Sequence, residues 1–199
     1  MCWVAIDRAI RIAESAPHEA PLNKWKTSRS EIRSAILKHG YSEKRKSFVQ
    51  SFDSDVLDAT SLLIPSTGFL SHDDPRVRST IDATLKDLTV GSTVFRYRAE
   101  DGLPGGEGGF LLCSFWLITA LALTGRRTEA ESLLTDLLSH SGPTHLLSEE
   151  LDTQSGKQLG NFPQAFSHIG LINSVLYLGR AAGKAHTGPE LHGMQNLEE

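Results

Sequence analysis

The sequence has little cysteine, no excess of basic side chains and no long hydrophobic run. Its two cysteines, Cys2 and Cys113, exclude a disulfide framework and a cysteine-rich zinc site. With 20 basic and 24 acidic side chains the net charge is -4, which argues against nucleic acid or an anionic membrane as the main partner. The most apolar run, 110–123, is about 14 residues long, whereas a membrane span needs about 20. We therefore expect a cytoplasmic protein with neither kind of partner.

Several motifs of cofactor and metal chemistry are also absent from the sequence. The eight histidines show no helical spacing with Glu or Cys that is typical of zinc sites. The glycines of 102–109 are not followed by the Gly-Lys-Ser/Thr of a phosphate-binding loop. A Gly-x-Ser-x-Gly nucleophile motif is missing as well. The sequence therefore suggests no metal and no organic cofactor.

Hydrophobic periodicity predicts an almost entirely helical chain of about seven helices. The predicted helices cover 2–16, 21–39, 56–63, a stretch starting at 75, then 110–124, 128–140 and 163–183. Asp53, Ser54 and Asp55 are the expected caps of the third helix, and Pro65 is expected to end it. Short β-like pieces are expected at 48–52 and 93–97. The polar residues 184–199 predict a disordered tail.

The helix pair joined at Gly125 indicates the architecture. The first helix is apolar on every side and must therefore be surrounded by protein, whereas the second has one apolar and one charged face. A buried inner helix followed by an amphipathic outer helix is the repeating unit of an α/α toroid, in which two concentric rings alternate along the chain. About seven helices would form little more than half of a complete (α/α)6 toroid.

An acidic couplet is the strongest chemical feature of the chain. Glu149 and Glu150 follow two leucines and precede a polar loop, after which Asn161 opens the last apolar helix. Carboxylates on a loop at the end of a buried element are typical of general-base hydrolysis. The residues alone leave open a second interpretation, in which both glutamates are solvated loop acids.

The couplet belongs to a stretch that resembles glycoside hydrolase family 15, the glucoamylase and glucodextranase family that also holds some trehalases. Four further stretches are similar to motifs of that family and occur in the family's order: MCWVAIDRAIRIAE, FVQSFDSDVLDATSLLIP, FRYRAEDGLPGGEGGFLLCSFWLITALALTGR and GNFPQAFSHIGLI. The resemblance covers about residues 1–183. It implies that 1–183 is the C-terminal portion of an (α/α)6 catalytic domain.

The resemblance also implies an activity and a role for particular residues. It implies hydrolysis of α-glucosidic bonds in oligosaccharides, α-glucans or trehalose with inversion, and Glu149 is the expected general base. Arg96 and Glu107 are expected to hydrogen-bond sugar hydroxyls, and Trp3 is expected to contact the sugar. The glycines of the loop from Arg96 to Gly109 would let its backbone approach a ligand closely. Without the resemblance, the residues favour a tight inter-helix turn whose charges pair with each other.

An inverting hydrolase needs an acid as well as a base, about 6.5–9.5 Å apart. In the family that acid is a glutamate near a Trp-Glu dipeptide, which this sequence does not contain, and Met1 falls inside a family motif. We therefore expect the acid to come from an N-terminal half of the toroid. The alternatives are a non-catalytic fragment and, without any relation to sugars, an all-α interaction scaffold.

Overall fold

The computed structural model describes residues 1–15, 19–99, 102 and 108–181. In these parts of the chain seven α-helices are present: α1 Cys2–Ser15, α2 Leu22–His39, α3 Ile64–Thr67, α4 Pro75–Asp87, α5 Leu111–Leu123, α6 Arg127–Ser139 and α7 Ala165–Ala181. A short 3₁₀ helix, Ala59–Leu63, leads into α3. The all-α prediction is therefore confirmed. The predicted tail 184–199 and the last two residues of the final predicted helix lie outside the described residues.

The strands in the described parts of the chain are all two residues long and form two antiparallel sheets. A hairpin pairs β1 Tyr41–Ser42 with β2 Ser47–Phe48. The second sheet contains, in order, β3 Thr89–Val90, β4 Thr93–Val94, β5 Gly109–Phe110, β6 Glu150–Leu151 and β7 Gln158–Leu159. The β-like pieces predicted at 48–52 and 93–97 overlap β2 and β4. The other strands were not predicted, because two residues are too few to show an alternating pattern.

The third predicted helix begins and ends elsewhere. The cap is Asp58 instead of Asp53–Asp55, and its carboxylate accepts a hydrogen bond from Thr60 N–H at 2.8 Å. Pro65 lies in the first turn of α3 instead of ending a helix. The first turn tolerates proline because its N–H groups have no intrahelical partner in any case.

The core lies around α5, as the alternation of inner and outer helices predicts. Ten of the thirteen residues of α5 are buried, whereas α6 buries only Ala130 and Leu137. On the other side α7 packs closely against α5, since Gly170 brings its backbone against Phe115 and Ser174 Oγ donates to the Phe115 carbonyl at 2.9 Å. Helix α5 is therefore enclosed by protein.

Candidate active site

The acidic couplet lies where the five-stranded sheet meets the start of α5. Glu150 begins β6 and pairs with Phe110 of β5 on one side and with Leu159 of β7 on the other. The carbonyl of Glu149 accepts a hydrogen bond from the N–H of Leu111, the first residue of α5, at 3.0 Å. The backbone of both glutamates is thus held between the inner helix and the hairpin 150–159.

Ser148 directly precedes the couplet, is fully buried and holds the couplet in place through its hydrogen bonds. Its N–H donates to Oε1 of Gln158 at 2.7 Å, and its hydroxyl donates to the Glu150 carbonyl at 2.6 Å. Its own carbonyl accepts a hydrogen bond from the hydroxyl of Ser167 in α7 at 2.7 Å. These bonds fix the position of the couplet relative to α7.

One oxygen of the Glu149 carboxylate is held by Asn161. Oε2 accepts hydrogen bonds from the backbone N–H and from Nδ2 of Asn161, at 3.2 and 2.8 Å. The backbone N–H of Glu149 donates in turn to the Asn161 carbonyl at 3.0 Å. Oε1 has no hydrogen-bond partner among the described residues. An oriented carboxylate with one oxygen open is able to accept a proton from a water molecule.

The carboxylate of Glu150 has a different environment. Its Oε2 accepts a hydrogen bond from the backbone N–H of Gly108 at 2.7 Å. Glu150 therefore holds the end of the glycine-rich loop at the sheet. Glu149 and Glu150 therefore have different partners, and their roles as base and neighbour stay predictions.

Gly160 allows the close approach between Asn161 and Glu149. Its φ of +72° lies in the left-handed region, and a Cβ there would lie 2.9 Å from Oε2 and 3.0 Å from Cβ of Glu149. Any side chain at position 160 would therefore strain the backbone and push the carboxylate away.

The last two glycines of the loop pack against the protein itself. A Cβ at Gly109 would lie 2.3 Å from Cβ of Thr93, and a Cβ at Gly108 would lie 2.6 Å from the Leu151 carbonyl. The sequence alone suggested that such glycines approach a ligand, but these two are needed for contacts between neighbouring strands. Glu107 and the rest of 103–107 lie outside the described residues.

The other two predicted substrate contacts have well-defined surroundings. Arg96 is exposed, its guanidinium lies 5.4 Å from the centre of the Tyr97 ring, and its carbonyl accepts a hydrogen bond from Ala59 N–H at 2.9 Å. Trp3 is only 7% exposed and its ring packs edge-to-face on Phe69, with 5.2 Å between centroids. Its indole N–H is buried and has no acceptor within the described parts of the chain. Contact of either residue with a substrate stays a prediction.

The contact that Asn161 makes with Glu149 was not predicted from the sequence, whereas His168 was expected near this end of the last helix, either as a satisfied buried histidine or as a ligand contact. His168 accepts a hydrogen bond from Leu147 N–H at Nε2, at 3.4 Å, so its Nδ1–H donates to the Gln164 carbonyl at 2.7 Å. Asn161 was recognised only as the start of a helix. The described residues contain no cluster of three or more His, Cys, Asp or Glu able to hold a metal ion, and no helix among them is long and apolar enough to cross a membrane.

A sequence profile described as Glycosyl hydrolases family 15 matches residues 1–176. The chain belongs to this family. It is 44% identical to the trehalases of Mycobacterium tuberculosis and Mycolicibacterium smegmatis over 188 residues, which cover 93% of this chain and 28% of either relative. The trehalase of Thermoplasma volcanium is 40% identical over 173 residues, or 86% of this chain and 28% of its own length. The family 15 chain thus spans less than a third of these relatives.

Solved structures agree with the assignment of the fold. A wild-type glycosidase superimposes with a TM-score of 0.67 at 22% identity, over 84% of this chain and 47% of its own. A variant in complex with glucose matches equally well, with a TM-score of 0.67 at 21% identity and the same coverage. The resemblance to family 15 and to a part of its toroid is therefore confirmed.

Proposed function

We propose that this family 15 chain carries the general base of a glycoside hydrolase that cleaves the α-glucosidic bond of trehalose with inversion. The single observation that carries the proposal is the carboxylate of Glu149, which is anchored through Oε2 and has no partner at Oε1 among the described residues. The choice of trehalose over other α-glucosides is supported by the trehalases that match 86–93% of the chain.

In the proposed reaction Oε1 of Glu149 takes a proton from a water molecule, whose oxygen then attacks the anomeric carbon. The bond to the leaving glucose breaks on the opposite face, and a general acid about 6.5–9.5 Å from the base protonates the leaving oxygen. We place this acid in a part of the fold that the relatives have beyond the stretch matched here.

The proposed substrate contacts are Arg96, Glu107 and Trp3. Glu107 directly precedes Gly108 in the sequence, and the N–H of Gly108 contacts Glu150. Arg96 lies on the exposed segment that follows β4, and the indole N–H of Trp3 has no acceptor in the described regions. The low cysteine content of the sequence, two of 199 residues, supports a reducing cytoplasm as the proposed location.

A chimera tests the function. The matching 188-residue stretch of the Mycolicibacterium smegmatis trehalase is replaced by this chain, and glucose release from trehalose and from maltotriose is measured. We expect the chimera to hydrolyse trehalose and Glu149→Gln to lower kcat by about 10²-fold or more, since base catalysis supplies about 10²–10⁴-fold. Glu31→Gln, at an exposed position of α2, is the matched control.

Two outcomes would contradict the proposal. Full activity of the Glu149→Gln chimera would show that Glu149 is not the base. Hydrolysis of maltotriose without hydrolysis of trehalose would show that the substrate is wrong. The purified 199-residue chain, without acid assistance, is expected to be about 10²–10⁴-fold slower than the chimera.

The exposed face of α7 favours a second candidate role, association with a separate N-terminal half of the toroid. Phe166, Ile169, Ile172 and Val175 recur along one face of α7 and are each between 49% and 63% exposed, while the opposite face packs on α5. An exposed apolar stripe of this kind marks an interaction surface. We propose that inner helices of this N-terminal half cover it.

Size-exclusion chromatography tests this association. This chain is mixed with the N-terminal part of the mycobacterial trehalase, which is produced as a separate chain, and formation of a complex is measured. Ile172→Asp is expected to prevent formation of a complex that the wild-type chain forms. Leu138→Asp, at an exposed leucine of α6, is expected to have no effect. An unchanged complex with Ile172→Asp would rule out α7 as the contact surface.

A further inference from the structure

Asn161 makes the closest polar contacts of the proposed base. It reaches Glu149 in three ways, through its carbonyl, its backbone N–H and its side-chain Nδ2, and both N–H groups are directed to the same carboxylate oxygen. The two backbone hydrogen bonds are a consequence of the path that the chain takes after β7. The hydrogen bond from Nδ2 is not such a consequence, because an exposed asparagine side chain is free to turn towards water instead.

We propose that Asn161 is a positioning residue that assigns different tasks to the two carboxylate oxygens of Glu149. This inference rests on the proposed function, in which Glu149 is the base. The two donors hold Oε2 in place and occupy the positions at which it would bind a water molecule. Oε1 is then the basic oxygen, and its direction is set by the same two hydrogen bonds. Water would therefore be bound and deprotonated at one defined atom.

The backbone around Asn161 supports this role. Gly160 has a φ of +72° and lies so close to Glu149 that a Cβ would come within 2.9 Å of Oε2. The turn at Gly160 therefore directs the backbone N–H of Asn161 towards the carboxylate of Glu149. The same close approach excludes residues other than glycine at position 160. Asparagine suits position 161 because its amide donates without a charge, whereas aspartate of nearly the same shape would repel Glu149.

The first test uses the 199-residue chain itself, uniformly labelled with ¹⁵N. The side-chain amide protons of Asn161 are followed by NMR in the wild-type chain, in Glu149→Gln and in Glu150→Gln. We expect Glu149→Gln to move one of these protons upfield, because a hydrogen bond to a carboxylate is stronger than one to a neutral amide. Glu150→Gln is the matched control and should leave them in place. Equal spectra for all three chains would overturn the inference.

The second test separates positioning from a purely structural role, and it uses the trehalose-hydrolysing chimera. Asn161→Ala is expected to lower kcat about 10–100-fold, because a hydrogen bond to a charged group is lost. Its KM is expected to stay within about twofold of that of the unsubstituted chimera. Asn161→Asp should lower kcat further, although it preserves the shape of the side chain. Asn23→Ala, at an exposed position of α2, is the control.

A double-mutant cycle completes the test. The cycle uses the Glu149→Ala chimera, to which azide is added in place of the water that the base would activate. Azide attacks the anomeric carbon directly and forms a glucosyl azide, and the leaving oxygen takes its proton from the acid. This reaction therefore requires no base. If Asn161 acts only through Glu149, Asn161→Ala does not slow this reaction further. An equal loss in both backgrounds would overturn the inference.

The two proposals fail in different ways. An active Glu149→Gln chimera would refute the proposed function. An inactive Glu149→Gln chimera together with an Asn161→Ala chimera of wild-type activity would refute only the positioning role.

Discussion

The backbone N–H of Gly108 donates a hydrogen bond to the carboxylate of Glu150 at 2.7 Å, across 42 positions of the sequence. Through this bond the second glutamate of the couplet holds the end of the glycine-rich loop, whereas the first is bound by Asn161. Two adjacent glutamates thus have separate partners, and their substitution is expected to have separate consequences.

The first prediction compares the two glutamates in the active chimera. Glu150→Gln is expected to lower kcat/KM by less than about tenfold, because a neutral amide oxygen still accepts from Gly108 and only the charge assistance of about 1 kcal/mol is lost. Glu149→Gln is expected to remove about 10²-fold or more. Initial rates of glucose release measure both. The reverse order of the two effects would move the base to Glu150.

The second prediction concerns two glycines of α7 with opposite effects. A Cβ at Gly170 would lie 3.0 Å from Cβ of Phe115, whereas a Cβ at Gly179 meets nothing within 4 Å. Gly170→Ala is expected to reduce the free energy of unfolding by about 1–2 kcal/mol, since overpacking outweighs the gain in helix propensity. Gly179→Ala is expected to increase it by about 0.5–1 kcal/mol. Urea unfolding followed by circular dichroism measures both, and destabilisation of equal size would contradict the packing argument.

The third prediction concerns the cap of α4. The carboxylate of Asp74 accepts hydrogen bonds from the side chain and backbone of Arg76, and the side-chain bond above all lowers the pKa of Asp74. Asp74→Ala is expected to reduce the free energy of unfolding by about 1 kcal/mol at pH 7. Asp73→Ala, at a neighbouring side chain that is 87% exposed, should change it by less than about 0.5 kcal/mol.

The pH dependence of the Asp74 cap has a defined sign. Because the folded pKa is lower than the unfolded value of about 3.9, the stabilisation is complete above that value and is lost as the pH falls through the folded pKa. The difference between wild-type and Asp74→Ala chains should therefore be constant from neutral pH to about pH 5 and shrink below about pH 4. A difference that grows on acidification would contradict the assignment.

The fourth prediction concerns Asp7, whose carboxylate is only 2% exposed and pairs with Arg8, Arg11 and Arg29. Its bond to Arg29, 2.7 Å long, joins α1 to α2. Asp7→Ala is expected to reduce the free energy of unfolding by about 1.5–3 kcal/mol, the usual value of hydrogen bonds to a charged group. Glu14→Ala removes the exposed pair with Lys26 and should cost less than about 1 kcal/mol. Thermal unfolding of the two variants provides the comparison.

Much of the helical architecture was predictable because its signals are local. Helix α4 begins at Pro75 as predicted, since a proline of the first turn and the cap before it, Asp74, act within one turn. Because the run after Phe110 is apolar on every side, its helix was predicted to be surrounded by protein, and α5 is buried. The error at Pro65 has a local cause as well, because proline is compatible with both the end of one helix and the start of the next.

The sequence by itself determined the family and the order of inner and outer helices, and it singled out the couplet Glu149–Glu150, whose chemical role stays a prediction. Helix periodicity and ordered motifs are properties of neighbouring residues and need no knowledge of the tertiary structure. Only the tertiary structure decided that Asn161 binds Glu149, that Gly108 binds Glu150 and that five two-residue strands hold them. The physical reason is that hydrogen bonds between residues far apart along the chain depend on the packing of α5 and α7, and strands of two residues leave no periodic pattern from which the partners could be inferred.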